Sequence, residues 1–392
     1  MASFEVKVQR IFIKEHPNAD ALELGNIGDP NGWQAVCRKG LYKTGDLVAY
    51  IGENAVVPEW VLKKYGFWNE DKGIGLLAGS KGDRVKMVKL RGESSMGICI
   101  PVEREDTPTY YSVEGREVFE GDDVSELLGV VKYEPPIPTQ LAGQVFNAST
   151  LVGVNYDIED IKNFPQVLVE GEEVQMTVKI HGSNLQAVWM SPGIPDHVRT
   201  QVQLDNWIEV RDGEELLGYV AIASKGQGAQ GLFFKDNEEN ANNAYLKVFR
   251  QYLQPFARVL SESGEECVTI VGEVFGKGIQ TFDYGYSTTT FRCFDLYLGY
   301  RGQGGYVDDL ELDEFALKTG IPRVPVVYRG PYSYAILDKL ANDKETEFEC
   351  KHVREGVIVK PKKERRDPVL GRVALKHRSV AYMTKITGEE VS

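Results

Sequence analysis

Over the first hundred residues, apolar and polar positions alternate in short runs. Phe4, Val6 and Val8 stand two apart, with Ile11, Phe12 and Ile13 beyond them, and predict one or two strands between 3 and 13. Shorter runs follow at 22–24, 33–36, 47–51, 85–90 and 97–101, divided by glycines and prolines. Many short strands with turn signals between them predict a small antiparallel barrel. Pro58 to Gly66 interrupts the series, and its Pro-first, Gly-last layout predicts a helix. The alternation stops after about residue 130. There Tyr133-Glu-Pro-Pro-Ile-Pro-Thr139 predicts a stiff, extended segment, because proline fixes φ and removes a backbone donor. From about 165 to 382 strands dominate again. Helices are expected at 237–251, at 308–319 with acidic residues at the start, and from Tyr332 to Leu340. The pattern predicts an α+β fold, mostly β, with a barrel over 1–130, a linker and lead-in over 131–164, and a second domain over 165–392.

Composition narrows the classes. A chain of 392 residues is long enough for at least two domains with cores of their own. Its net charge of −13 speaks weakly against nucleic-acid binding, yet such binding needs a local positive track and not a positive total. The five cysteines, at 37, 99, 267, 293 and 350, contain no CxxC pair, which argues against a zinc finger and a disulfide scaffold. A reducing, cytoplasmic setting is expected. The first residues lack the apolar run of a leader, and no stretch approaches membrane-spanning length, so no membrane association is expected. Nothing implies an obligate protein partner.

The chemically richest stretch is Thr177-Val-Lys-Ile-His-Gly-Ser-Asn184. A strand-like run leads in from Val174, ends at Lys179 and meets a glycine-containing turn. A lysine so placed is held over a pocket with little freedom. Its amine attacks phosphorus only when unprotonated, a state that neighbouring cations and partial desolvation favour. Alone, a KxxG is far more often a surface lysine ahead of a turn, so the rest of the chain decides.

Lys179-Ile-His-Gly182 resembles the nucleotidyl-acceptor motif of RNA ligases; DNA ligases and mRNA-capping enzymes of the same superfamily usually have Asp where this chain has His181. Five further stretches resemble the rest of that superfamily's ordered set: Ser224-Lys225-Gly226, Val271-Gly-Glu-Val-Phe-Gly276, Phe291-Arg-Cys-Phe-Asp-Leu-Tyr297, Arg354-Glu-Gly-Val-Ile-Val-Lys360 and Val373-Ala-Leu-Lys-His-Arg378. Each is weak alone; together, in order over roughly 170–380, they are strong. The resemblance implies an ATP-grasp-like nucleotidyltransferase domain of the DNA/RNA ligase type, built on antiparallel sheets, and an ATP-dependent RNA ligase with Lys179 as nucleophile. It implies that Glu273 contacts ribose or metal, that Phe294 stacks on adenine with Asp295 in support, and that Glu355 positions metal and phosphates. Lys376 would grip the α-phosphate, and Lys360 or Arg378 would reach other phosphate oxygens. His181, Gly182 and Lys225 complete the implied nucleotide site, and Mg2+ or Mn2+ at Glu273 and Glu355 is the implied metal. One position departs: many such ligases have Glu just before the nucleophile, thought to read the adenine amino group, where this chain has Val178. Either Gln175 or a backbone carbonyl reads the base instead, or selectivity is looser.

Residues 16–24 and 89–100 resemble the OB-type barrel of tRNA-binding modules, and a similar barrel precedes the catalytic domain in one branch of RNA ligases. That implies a nucleic-acid-binding face with Lys86, Lys89 and Arg91 as a basic track. Trp33, Phe67 and Trp68 either stack on bases or pack the barrel, and packing is the readier reading of Trp33. Lys362 and Lys363, in the basic run 360–366, form either a solvated loop or a contact to substrate phosphates. DNA ligases and capping enzymes carry a C-terminal OB domain, for which no room follows the last motif here, and this favours the RNA-ligase expectation. The implied partner is RNA, or an RNA/DNA-containing nicked duplex with 3'-hydroxyl and 5'-phosphate ends. Two alternatives stay open: a capping-type guanylyltransferase, and a catalytically inactive RNA- or tRNA-binding protein.

Overall fold

The computed structural model describes residues 4–104, 111–133, 144–280, 282, 284–350, 352–387 and 390–391. The proline-rich stretch 134–139 lies outside them. The chain divides into two compact units, one of 2–135 with 161–165 and 380–392, the other of 136–160 with 166–379. Among the described residues no helix is long and apolar enough to cross a membrane.

The first unit is built on β1 (Lys7–Glu15), β2 (Leu22–Ile27), β3 (Trp33–Arg38), β4 (Leu47–Gly52) and β5 (Gly97–Pro101), all antiparallel in the order β5-β4-β1-β2-β3. β1 changes partner along its length, pairing 7–10 with β4 and 11–15 with β2, as a strand must when its sheet coils into a barrel. The barrel is nearly closed between its end strands, where Met96 N–H donates to Gln34 O (2.7 Å) and Val36 N–H to Ser95 Oγ (3.0 Å). Val6, Val8, Ala49, Ile51 and Ile100 are wholly buried in its core. Helix α1 (Glu59–Lys64) is shorter than the expected 58–66, because Pro58 is its extended N-cap (ψ 152°) and Tyr65 closes it. Trp33 is barrel packing: it stacks on Tyr50, and its indole N–H donates to Asn163 Oδ1 at 2.6 Å. Phe67 and Trp68 also pack against the core.

The second unit is built on two large sheets. One has six antiparallel strands in the order β9-β10-β8-β11-β12-β13, with β8 (Ser183–Met190), β9 (Ile208–Asp212), β10 (Glu215–Ser224), β11 (Cys267–Gly276), β12 (Thr289–Leu298) and β13 (Gly305–Tyr306). The other has five, in the order β6-β16-β15-β7-β14, with β6 (Glu159–Asp160), β7 (Glu173–Val178), β14 (Val326–Pro331), β15 (Gly356–Pro361) and β16 (Leu375–Arg378). The six-stranded sheet is covered on both faces, so β8 and β11 are buried nearly continuously and not at alternate positions. Phe249, Phe256 and Phe291 meet edge-to-face in one of its cores; Phe146, Trp207 and Phe233 lie in the other.

Helices α2 (Ala244–Arg250), α3 (Leu253–Ser261), α4 (Asp309–Thr319) and α5 (Tyr334–Asn342) belong to the same unit. The single helix expected at 237–251 is instead a 3-10 turn at Glu238–Asn240 followed by α2. Asparagine chemistry makes the break. The Asn240 amide is tied to Lys235 O and Gln144 O, both at 2.7 Å, and the Asn243 side chain accepts the Tyr245 and Leu246 N–H groups as an N-cap. Helix α3 was not expected; it carries Pro255 in its first turn, where a missing N–H costs nothing, and buries Phe256, Ala257 and Leu260. α4 begins in a capping box of Asp308 and Glu311 and ends at left-handed Gly320, while α5 starts two residues later than Tyr332.

Candidate active site

Strand register gathers the site. Side chains two apart on a strand share a face, and so do cross-strand partners. Lys179, just past β7, donates its N–H to Gly356 O (3.0 Å), and Gly356 pairs with Arg378. One row further along, Thr177 pairs with Ile358, and Ile358 with Lys376. A third row pairs Gln175 with Lys360. All these residues therefore occupy one face of the five-stranded sheet. From the other sheet, β12 contributes a bulge: Val271 pairs with Asp295 and Gly272 with Cys293, leaving Phe294 as the extra residue. That irregularity lets two sequence neighbours, Phe294 and Asp295, line the same cavity. The cavity collects Lys179, Lys225, Glu273, Phe294, Asp295, Lys360 and Lys376.

Around Lys179 the charges are close and partly dry. Its Nζ meets Glu355 Oε1 at 2.5 Å, and the Glu355 side chain is only 5% exposed. The other oxygen, Oε2, is buried without a hydrogen-bond partner among the described residues, with His181 Nδ1 3.9 Å away. Burial pushes the Glu273 carboxyl up to about 8; Lys179 pulls against this and Glu355 adds to it. Burial also depresses the His181 imidazole, which favours its neutral form. Lys376 is pushed down to about 8, by burial first and then by Arg378, with Asp160 opposing. Gly182 is glycine for a steric reason: a Cβ there would lie 2.3 Å from Val274 O and 2.8 Å from Glu273 Cγ.

Deeper in, Asp295 is buried and surrounded by donors. Lys360 Nζ (2.5 Å), the Arg372 guanidinium (2.7 and 3.0 Å) and the Tyr156 hydroxyl all donate to it. Burial alone would raise its pKa, but the two cations hold it well below the usual carboxylate range. Lys360 Nζ also donates to Phe294 O at 3.2 Å, fixing the bulge, and the Tyr156 ring packs 5.2 Å from Phe294.

The remaining sequence candidates fall at different places. Arg378 shares the face but does not line the cavity; its Nε lies 3.7 Å from Asp160. Lys362 and Lys363 are exposed, with Lys363 3.8 Å from Asp308. Lys86, Lys89 and Arg91 belong to the barrel unit, the two lysines half-buried and Arg91 exposed in a turn at φ 51°. Gln175 is occupied elsewhere, its side-chain oxygen accepting from Arg323 at 2.5 Å.

Several site residues were not anticipated. Tyr156, Asp157 and Ile158 line the cavity from the lead-in, and Asp157 pairs with Lys225 at 2.9 Å. Arg301 anchors that lead-in by donating to the carbonyls of Val152, Gly153, Gly228 and Ala229. Tyr284 accepts the His181 N–H at 2.7 Å. The one sequence signal for the lead-in is its Tyr156-Asp157 pair, a polar aromatic and a carboxylate amid apolar residues; Arg301, Arg372 and Tyr284 carry none.

A family model described as RNA ligase matches residues 172–378, and a model of an OB-fold domain matches residues 5–102. Solved structures of Naegleria gruberi RNA ligase are similar throughout. The form with pyrophosphate superposes with a TM-score of 0.68 at 20% identity, covering 99% of this chain and 100% of that one. A variant holding AMP and Mn gives 0.69 at 20%, and one holding ATP and Mn gives 0.69 at 21%, each covering 97% of this chain and 98% of the other. At such identities the likeness is one of fold. No curated protein matches the chain by sequence.

Proposed function

Because the chain belongs to the RNA ligase family, we propose that it seals 3'-hydroxyl/5'-phosphate breaks in RNA, using ATP and a covalent adenylate on Lys179. The observation that carries this reading is the convergence of Lys179, Lys225, Lys376, Glu273 and Phe294 on one cavity. In the first step Lys179 Nζ attacks the α-phosphorus, the P–N bond forms, and the bond to the bridging oxygen breaks as pyrophosphate leaves. Glu355, in contact with Nζ, orients the amine and is placed to take its proton. Lys376 and Lys225 meet the phosphate charge that builds up, and positioned charge of this kind is most of what phosphoryl transfer needs. Phe294, fixed by Lys360 and Tyr156, offers its face to adenine, with Asp295 supporting it. His181, Gly182 and Arg378 shape the phosphate end. The AMP then passes to a 5'-phosphate, and a 3'-hydroxyl displaces it.

Glu273 and Glu355 fit a divalent cation. Glu355 has a buried oxygen lacking a partner among the described residues, and Glu273 resists ionising beside it. Among the described residues no cluster of three or more His, Cys, Asp or Glu is placed to hold a metal. Two carboxylates with substrate phosphates and water suit Mg2+ or the similar Mn2+. Bound there, the ion would neutralise phosphate charge and help orient the triphosphate.

The preferred substrate in this reading is a nick in a duplex with RNA on the 3'-hydroxyl side. Residues 1–130 act as the nucleic-acid-binding module through Lys86, Lys89 and Arg91, residues 131–164 as the lead-in, and 165–392 as the adenylylation domain, with Lys362 and Lys363 touching substrate phosphates. The test is self-nucleotidylylation of purified protein with labelled ATP or GTP and Mg2+ or Mn2+, beside Lys179→Ala. Label from ATP that the variant loses supports the reading. Label from GTP alone would indicate capping-type chemistry, and none from either would indicate a binding protein.

A further inference from the structure

Val178, the residue just before Lys179, is apolar, so its side chain offers a base no hydrogen bond. We propose that the Thr177 hydroxyl reads position 6 of the purine. The inference rests on the nucleotidyl-transfer reading above and names a specificity-determining residue within it.

Register puts Thr177 one row in from Lys179, on the same sheet face and beside Ile358. A base lying between Phe294 and Ile358 therefore presents an edge to it. Thr177 is 4% exposed and lines the cavity, yet its hydroxyl has no hydrogen-bond partner among the described residues. The hydroxyl is not fully enclosed, and the residue lines the cavity. Most competing polar groups are committed, and Asn184, a cavity-lining residue whose Oδ1 has no hydrogen-bond partner among the described residues, pairs with Glu273 on the other sheet, at the end assigned to ribose and metal. Gln175 is held by Arg323, Lys360 and the Tyr156 hydroxyl by Asp295, and the Val178 N–H by Pro325 O. Lys376 is a cation, suited to phosphate.

A hydroxyl both donates and accepts, whereas a carboxylate only accepts. Thr177 accepts from the 6-amino group of adenine and can turn to donate to a 6-oxo group. A site read this way binds ATP but discriminates less sharply against 6-oxo purine nucleotides than a carboxylate-read site would.

The test is self-nucleotidylylation of the full chain with ATP, with inosine triphosphate (6-oxo) and with purine riboside triphosphate, which carries only hydrogen at position 6. Thr177→Val keeps the side-chain shape and removes the hydroxyl; Thr177→Ser keeps the hydroxyl. Thr177→Val should lower kcat/KM about 3- to 10-fold for the 6-amino and 6-oxo nucleotides, the worth of one hydrogen bond, and leave purine riboside triphosphate unchanged. Thr177→Ser should restore the ATP value. Equal loss on all three nucleotides, or loss on none, overturns the assignment while leaving the ligase reading intact. A wild-type chain that no nucleotide labels overturns both.

Discussion

Glu355 holds Lys179 with one oxygen, Oε1 at 2.5 Å from Nζ, while the other is buried without a hydrogen-bond partner among the described residues. One carboxylate thus holds the Lys179 amine and keeps a second, buried oxygen in reserve. Glu355→Gln keeps the shape and removes the charge. It should slow lysyl-adenylate formation about 100-fold or more, the usual scale for losing a positioned acid–base group, and Lys179→Ala should abolish it. Single-turnover labelling reads the rate, and an unchanged Tm shows that the fold survives. A Glu355→Gln rate within threefold of wild type would remove Glu355 from the mechanism.

Glu273 predicts a pH-dependent stability. Its folded pKa of about 8 lies above the ordinary 4.5, chiefly through burial. The folded chain therefore keeps a proton that the unfolded chain has lost, and the stability this group contributes falls as pH rises from about 4.5 to about 8. Glu273→Gln stays neutral, so its Tm in metal-free buffer should exceed that of wild type by a margin that widens from pH 5 to pH 8. The cavity side of Glu273 is partly open, which limits the effect to on the order of 1–3 kcal/mol, several degrees in Tm. Lys376 has the opposite sign in another window: its folded pKa of about 8 lies below 10.5, so its penalty is relieved between those values. A Tm margin for Glu273→Gln that stays flat from pH 5 to pH 8 would rule out the raised pKa.

Tyr284 should act on rate more than on binding. Its hydroxyl accepts the N–H of His181, two residues past Lys179, and its ring is wedged against Phe275, Phe348 and His352. Tyr284→Phe keeps the wedge and strands a partly buried N–H, a loss of about 1–3 kcal/mol. We expect adenylylation kcat to fall roughly tenfold with KM for ATP little changed. A rise in KM at constant kcat would place Tyr284 in nucleotide binding instead.

Asp295 predicts a stability effect. Removing its charge leaves Lys360 and Arg372 facing each other in a buried space. Asp295→Asn should cost about 3–5 kcal/mol by urea unfolding, and adding Lys360→Met should return part of that. Strictly additive losses would show that the three groups do not act as a unit.

The contrast between what was legible in the chain and what was not follows from the distance over which each contact acts. Lys179, Glu273, Phe294, Glu355 and Lys376 sit in short stretches where strand, turn and charge follow one another locally, so each leaves a mark in the sequence. Tyr284, Arg301 and Arg372 have no such mark. Each acts through hydrogen bonds to residues far along the chain, and a lone tyrosine or arginine looks the same whether it is solvated or buried. The break at 240–243 was hidden for a related reason, since the asparagines that stop the helix do so partly through Gln144. Phe294 with Asp295 is the instructive case: strict alternation would send two neighbours to opposite faces, and only the bulge reconciles them.

The rows across β7, β15 and β16 also bind this site to a parity rule. Lys179, Thr177 and Gln175 hold odd positions on one strand, while Gly356, Ile358 and Lys360 answer from even positions on the next. Deleting one residue from any of these strands would swing its whole contribution to the opposite side, whereas losing two would shift it along by one row. Viable descendants of this chain should therefore change length here only in even steps, or only together with a compensating bulge, and a library of one- and two-residue deletions would display that parity directly.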